Sequence, residues 1–523
     1  MRHACRRNFT IVIAALTVAC PPASAEISSL VLQGDVITGV GNVTAINNLA
    51  VNGLGQWLVE ADTDHADTNQ DEVILRDGTL YLREGQALPR PPGASIGSFD
   101  SVNLNASGHS GWNFFLDGTG GTTNDSGVYL DSILVVQESD TSSAPQFSPG
   151  TPYIGFFDAK INASNQIFVV ASVDDPAIAT TVDRGLMLLD LNAGGDLVAE
   201  TVIAKEGDVL PGQIEAVADF GTGPHESAFN DAGTAMFFAD LTGLTTTDGV
   251  IYLGAALLAQ EGSASPVGGR NYELLSGRGL DINNTGGYVF KANLDGATTD
   301  DELIVANGSI VAQEGGSIPA IGAFQFTGFG TSSGPVQIDD AGRVLWFGDW
   351  NDADTNVDTG LFLGDSLLVQ EGVTMIDGLV VDELASGTDA FALSDTGGWI
   401  IFEATLAGGI SGAFLIDLDG TVGVEETGAG VPSVPHFLAA PNPFEAATRF
   451  AYSLPRDADV ALEIFDARGR LVATPVNGRR PAGANTAAWH GLDANGRPVP
   501  AGAYFARLRA GGAVRFEKIV RVR

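Results

Sequence analysis

The sequence predicts an all-β chain: a seven-bladed β-propeller of about 55-residue four-stranded repeats, followed by a small Ig-like β-sandwich. Three observations predict it. A turn-like element recurs seven times, a second marker runs in step with it, and no helical periodicity of useful length follows the first 25 residues.

The recurring element is an apolar residue, then Asn, Asp or Ser, two residues, Gly or Asn, and a run of large apolar residues. Its copies start at Asn52, Asn105, Asn162, Asn230, Asn283, Asp339 and Ser394. Asn and Gly tolerate positive φ, and Asn or Asp bonds its own backbone, so each copy reads as a turn. An alternating strand such as Phe99 to Val102 precedes it. A strand with paired large residues follows, such as Phe114-Phe115, Phe237-Phe238 or Trp346-Phe347. A loop rich in Asp and Thr leads to a third strand (Val128 to Leu130, Val250 to Leu253, Leu361 to Leu363). A tight turn such as Asp77-Gly78 or Asn307-Gly308 then leads to a fourth.

The second marker closes that fourth strand. It is an apolar stretch ending in Gln, Lys or Arg, then Glu-Gly, at Gly85, Gly207, Gly262, Gly315 and Gly372, with a variant ending at Ser139. Leu30 to Gly34 resembles a fourth strand that precedes the first unit, so it is expected to pair with the last unit and close the ring. Thr421 to Glu426 is the rival for that place, and an open solenoid is the structural alternative.

Four segments are expected: a signal peptide over 1–25, the repeat domain over 26–426, a linker over 427–438 and an Ig-like domain over 439–523. In the first, Arg2, Arg6 and Arg7 precede an apolar run from Phe9 to Ala19, and Ala23-Ser24-Ala25 offers a cleavage site near Ala25. That run is too short to span a bilayer. A secreted or cell-surface protein follows, with lipidation of Cys20 as a rival processing route. Cys5 and Cys20 are the only cysteines, so the mature chain carries no thiol and no disulfide.

Charge separates the segments. Residues 26–440 carry a net charge of −47 and residues 441–523 one of +6, against −38 for the whole chain. So acidic a surface repels phosphate backbones and excludes nucleic acid as a partner.

The seven-copy pattern resembles the NxxGxxxAF tandem-repeat family of exported bacterial proteins over residues 28–426, with Phe114-Phe115, Ile401-Phe402 and Leu58-Val59 in place of Ala-Phe. The tail carries Pro441 to Phe444, the hairpin Val460 to Ala473 turning at Asp466 to Gly469, Trp489 to Arg497, Pro500 to Tyr504 and a strand from Arg515 to Val522. It resembles the Ig-like domain of flagellar hook-capping proteins and the related sorting domains of type IX secretion. That resemblance implies a sorting or attachment module that engages secretion or anchoring machinery.

No catalytic constellation emerges. Gly93-Ala-Ser95-Ile-Gly97 and Gly330-Thr-Ser332-Ser-Gly334 match a nucleophile elbow in spelling, but both lie in Gly-rich loops of a β domain. His65, His109, His225, His436 and His490 show no zinc spacing. Cofactors are therefore none, with calcium as the one candidate. The acidic loops offer Asp62, Asp64, Asp67, Asn69 and Asp71 in the first unit and Asp352, Asp354, Asn356 and Asp358 in the sixth. Their alternating oxygens suit a hard cation, though both lack the Gly and Glu of an EF-hand. The sequence thus points to an exported, non-enzymatic binding or adhesion scaffold with an unknown extracellular ligand, a glycan or a protein. The alternative is a secreted glycan-active hydrolase or lyase with its site at the propeller mouth.

Overall fold

The structure, a computed structural model, describes residues 26–178, 183–418, 437–440, 444, 447–454, 458–466, 468–481, 483–494, 496–510 and 513–522. Among these the chain is all-β, interrupted by a single 3₁₀ turn at Pro319–Ile321. The leader, Thr421 to Glu426 and almost all of the expected linker lie outside the described residues. Phe437–Ala440, at the linker's end, is a strand.

Seven antiparallel sheets follow one another between Glu26 and Asp417. In each, the marked strand after the Asn element is central: Trp57–Thr63, Gly111–Asp117, Gln166–Val173, Ala235–Leu241, Tyr288–Leu294, Val344–Trp350 and Trp399–Leu406. Four strands per unit were expected. In the last four units the innermost strand is broken in two, as at Phe326–Gly328 and Gln337–Ile338, because a Gly-rich stretch such as Gly328 to Gly334 lacks the side chains that hold an extended run against its neighbour.

Alternation buries both faces of the central strands. Val169 packs toward the preceding sheet while Phe168 and Val170 pack toward the next. The result is a core between each pair of consecutive sheets: Leu58 with Trp112, Val128 with Phe156, Phe168 with Phe237, Met236 with Phe290, Ile304 with Trp346, and Leu361 with Phe402. A seventh core joins Ile401 and Leu415 of the last sheet to Val43 and Val59 of the first, so the cycle returns to its start. Aromatic stacking stiffens these cores, with the Trp346 and Phe362 ring centroids 4.4 Å apart and nearly parallel.

The last sheet takes its outer strand from the N-terminal end. Glu26–Leu32 runs antiparallel to Ile410–Asp417, pairing Ile27 with Ile416, Ser29 with Phe414 and Leu32 with Gly412. This strand starts and ends earlier than the expected Leu30 to Gly34, because Gly34 at φ 93° turns the chain into Asp35. Val31 and Leu32, 2% and 1% exposed, point to opposite faces. One enters the core against the first sheet, the other the core against the sixth.

Residues 437–521 form two further sheets. One orders Phe437–Ala440, Thr448–Leu454 and Gly483–Trp489; the other orders Leu471–Arg480, Ala458–Asp466, Gly502–Ala510 and Ala513–Arg521. Phe450, Leu462, Ile464, Trp489 and Leu508 fill the space between them.

Candidate functional site

Both sequence markers are junctions between sheets. The carboxamide of each repeated Asn is buried and closes its own turn: Asn105 Oδ1 accepts from the amides of Ser107 and His109, at 3.0 and 2.9 Å. Its Nδ2 donates onward to the main-chain carbonyl of the next unit's marker. Asn52 reaches Asn105 at 2.9 Å, Asn105 reaches Asn162 at 2.9 Å, Asn162 reaches Asn230 at 3.4 Å, Asn230 reaches Asn283 at 3.0 Å, and Asn283 reaches Asp339 at 2.7 Å. Asp339 has no donor, and Arg343 replaces it, donating from Nε to Asp339 Oδ2 and from Nη2 to the Gly397 carbonyl, both at 2.7 Å. The sequence signalled the turn but not this relay.

The Glu-Gly marker does the same at the outer strand. Gly85, Gly207, Gly262, Gly315 and Gly372 all have positive φ, as does Ser139 at 71°, and their amides donate to the next sheet, for instance Gly262 to Tyr272 O at 2.7 Å. The Gln before the Glu staples the loop between the second and third strands: Gln137 donates to Asn124 O at 2.6 Å and Gln370 to Val357 O at 2.8 Å.

The innermost strands meet in succession from Tyr153–Ile161 through Ser227–Phe229, Leu280–Ile282 and Gln337–Ile338 to Phe391–Leu393, which meets Gly41–Val51 of the first unit. From the third unit to the sixth, the residue after the marker bonds its counterpart in the next unit. Asp231 Oδ1 accepts from Ala163 N at 2.6 Å, Asn284 Oδ1 from Asp231 N at 2.9 Å, and Asp340 Oδ1 from Asn284 N at 2.9 Å. Desolvation there, with the charges of Asp231 and Asp340, pushes Asp395 up to about 6. Deeper in, Asp281 accepts from Ile338 N at 2.9 Å and burial pushes it up to about 7. His225 of the fourth unit crosses to the seventh, its Nε2 2.6 Å from the Thr388 carbonyl oxygen.

A cleft of about 650 Å³ opens between the sixth and seventh sheets. Carboxylates dominate its walls, Glu302, Asp349, Glu371, Asp382 and Glu383, with the hydroxyls of Thr327, Thr331, Thr359 and Ser386 among them and Phe347 at its apolar side. Burial, then the charge of Glu383, pushes the adjacent Glu403 up to about 7. The loop of residues 329–334 forms one wall, and a buried lysine holds it: Lys291 Nζ donates to the carbonyls of Phe329 at 3.2 Å, Thr331 at 2.6 Å and Gly334 at 3.2 Å. Burial lowers that ammonium to about 8.

The expected calcium residues lie in or beside the loops that follow the second strands, Asp62 on the strand Trp57–Thr63 itself, and their carboxylates are engaged locally. Asp64 accepts from both nitrogens of Asn42 at 2.6 Å, Asp62 from Asn47 at 3.0 Å, and Asp67 from Gln70 at 2.8 Å. In the sixth unit Asp352 caps the Asp354 amide at 3.0 Å and Asp354 holds Asn356 Nδ2 at 2.8 Å. Asn69, Asp71 and Asp358 line the same loops, Asp71 accepting Thr63 Oγ1 through its carbonyl at 2.9 Å. Among the described residues no group of three or more His, Cys, Asp or Glu side chains is arranged to hold a metal ion. Ser95 opens a strand and Ser332 lies in the Lys291-held loop, and no helix follows either.

Comparison with known proteins gives two family matches. Residues 22–255 match a family of unknown function (DUF7453), and residues 442–513 match the FlgD Ig-like domain. No curated protein matches the chain. Solved structures resemble it loosely. PorZ, described as an essential bacterial surface component of the type-IX secretion system of Porphyromonas gingivalis, aligns at 11% identity and TM-score 0.34, over 93% of this chain and 61% of PorZ. Dimeric latent PorU from Porphyromonas gingivalis aligns at 11% and 0.18, over 96% and 34%. A puromycin hydrolase mutant aligns at 10% and 0.29, over 73% and 61%. The chain thus spans less than two thirds of each, and likenesses of this order define neither its architecture nor its activity. Among the described residues no helix is long and apolar enough to cross a membrane.

Proposed function

We propose that residues 26–426 form a seven-bladed β-propeller serving as a non-enzymatic binding or adhesion scaffold, exported through the leader ending near Ala25. Residues 439–523 then sort or attach it at the cell surface. The observation that carries this reading is the pairing of Glu26–Leu32 with Ile410–Asp417, which ties the two ends of the repeat array together. A ring so tied presents loops on a rigid frame, which lowers the entropy lost when a ligand binds. The cyclic succession of seven cores supports the same reading. The FlgD Ig-like match supports the role of the tail.

The carboxylate-walled cleft favours a second reading, a glycan hydrolase or lyase, since paired carboxyls are the usual machinery for glycosidic bonds. Glycan-array binding run beside a turnover assay separates the two. Binding without release of sugar is the expected result, and catalytic release would replace the scaffold reading. Deletion of 439–523 is expected to abolish surface display; unchanged display would remove the sorting role.

A further inference from the structure

The four-stranded sheet of the tail carries an exposed apolar row on its outer face. Its two central strands are Ala458–Asp466 and Gly502–Ala510. Alternation sends Leu462, Ile464, Tyr504 and Ala506 into the sandwich core, so Phe465, Phe505, Arg507 and Arg509 stand on the other side. Phe505 pairs with Phe465, and Phe465 with Leu471 of the neighbouring strand, which sets three large apolar side chains side by side across the sheet. Phe505 is 40% exposed and Leu471 55%. An apolar row over the middle of a sheet marks a contact surface.

Cations frame that row. Arg507 stacks on Phe465, its guanidinium carbon 4.7 Å from the ring centre. It donates from Nε at 3.1 Å and from Nη2 at 2.8 Å to Glu463 Oε2, and Arg509 Nε lies 3.7 Å from the same oxygen. Two guanidinium groups thus share one carboxylate and leave a surplus positive charge. Lys518, the one lysine of the tail, lies opposite Phe505 on the next strand. Phenylalanine and arginine are both enriched where proteins meet.

Such a face fits an acidic protein surface, and this chain supplies one, since residues 26–440 carry −47 against +6 for 441–523. Two copies of the face itself repel each other by charge. The tail meets its own repeat domain through its other sheet. There Thr486, opposite in direction to the core residues Ala487 and Trp489, has its Cγ2 3.1 Å from where a Cβ on Gly378 of the seventh unit would stand. The aromatic and cationic face is on the far side of the sandwich from that contact.

We propose that this face docks on the acidic repeat domain of a second copy of the chain, so that the protein self-associates tail to repeat domain. Each chain carries −38 overall. At about 0.15 M salt, however, charges are screened beyond about 8 Å, and the local sign at the contact decides. Burial of the aromatic row then holds the pair. The inference stands apart from the sorting role, which surface display tests.

The test is sedimentation of residues 26–523 at about 0.15 M salt and rising micromolar concentration, for wild type and for F505S/R509E. The wild-type mass should grow with concentration to at least that of a pair, and the variant should stay a single chain. A wild type that remains single throughout overturns the proposal, whether the face meets its own repeat domain or a foreign partner, and so does a variant that associates as strongly. A mixture of isotope-labelled and unlabelled wild type, treated with a zero-length carbodiimide cross-linker, identifies the contact and decides the matter should the variant fail to fold. Links from Lys518 to repeat-domain carboxylates of the other isotope form support the docking. Links confined to one isotope form, links from tail to tail, or no links at Lys518 overturn it.

Discussion

Asn105 Nδ2 donates to the main-chain carbonyl of Asn162 at 2.9 Å while its Oδ1 holds two amides of its own turn, so one buried carboxamide closes a loop and joins two sheets. Alanine there strands two amides and a carbonyl in a site where the side chain was 4% exposed. Asn105→Ala is therefore expected to cost about 2–4 kcal/mol, read by denaturant unfolding. Asn105→Asp should cost less, since it keeps both acceptor bonds. Equal losses would mean that the two acceptor bonds of the turn contribute nothing and that the bond between sheets carries the whole effect.

Gly412 sits opposite Leu32 where the N-terminal strand joins the last sheet. A Cβ there would stand 2.4 Å from Leu32 Cδ2 and 2.8 Å from the Val31 carbonyl oxygen. Gly412→Ala should destabilise by about 1–3 kcal/mol and raise hydrogen exchange first in residues 26–32. Faster exchange spread evenly over all sheets would contradict a local effect on the closing strand.

Asp281 gives a pH dependence with a definite sign. Its carboxyl is raised to about 7 by burial, so its share of stability is complete below the unfolded value, about 3.9, and disappears as pH rises through 7. Asp281→Asn keeps an acceptor for Ile338 N and carries no charge. At about pH 8 it should be more stable than wild type by on the order of 2 kcal/mol, with no gain at about pH 4. A gain at both values would point to packing instead.

Calcium is tested by melting with and without millimolar ion. The loop carboxylates already accept from local amides, as Asp64 does from Asn42, so the melting temperature is expected to stay unchanged. A rise that Asp62→Asn and Asp71→Asn together abolish would assign the ion to the first loop.

The repeat was legible because each Asn and each Glu-Gly has a local backbone duty, a turn or a positive φ, that restricts the residue type. The bonds between sheets were not, since a carboxamide that reaches the next unit is spelled the same as one that only caps its turn. The breaks in the innermost strands were masked by Gly-rich stretches such as Thr331 to Gly334, which read as ordinary loops. The acid loops drew attention to Asp71 as a calcium oxygen. Its carbonyl instead accepts from the Thr63 hydroxyl across the loop, a contact neither residue type announces. The cleft was invisible for the same reason: Glu302, Glu371 and Glu383 come from three different units.

Ring closure is tested most directly by a cross-link between Ser28 and Leu415, which lie opposite each other on the closing strand pair, in a chain of residues 26–523, which hold no other cysteine. The S28C/L415C variant should oxidise in the folded state to a disulfide that keeps the two ends linked after a proteolytic cut between them, and should melt higher oxidised than reduced. Two cysteines that stay reduced and react independently with a thiol reagent in the folded protein would contradict the account.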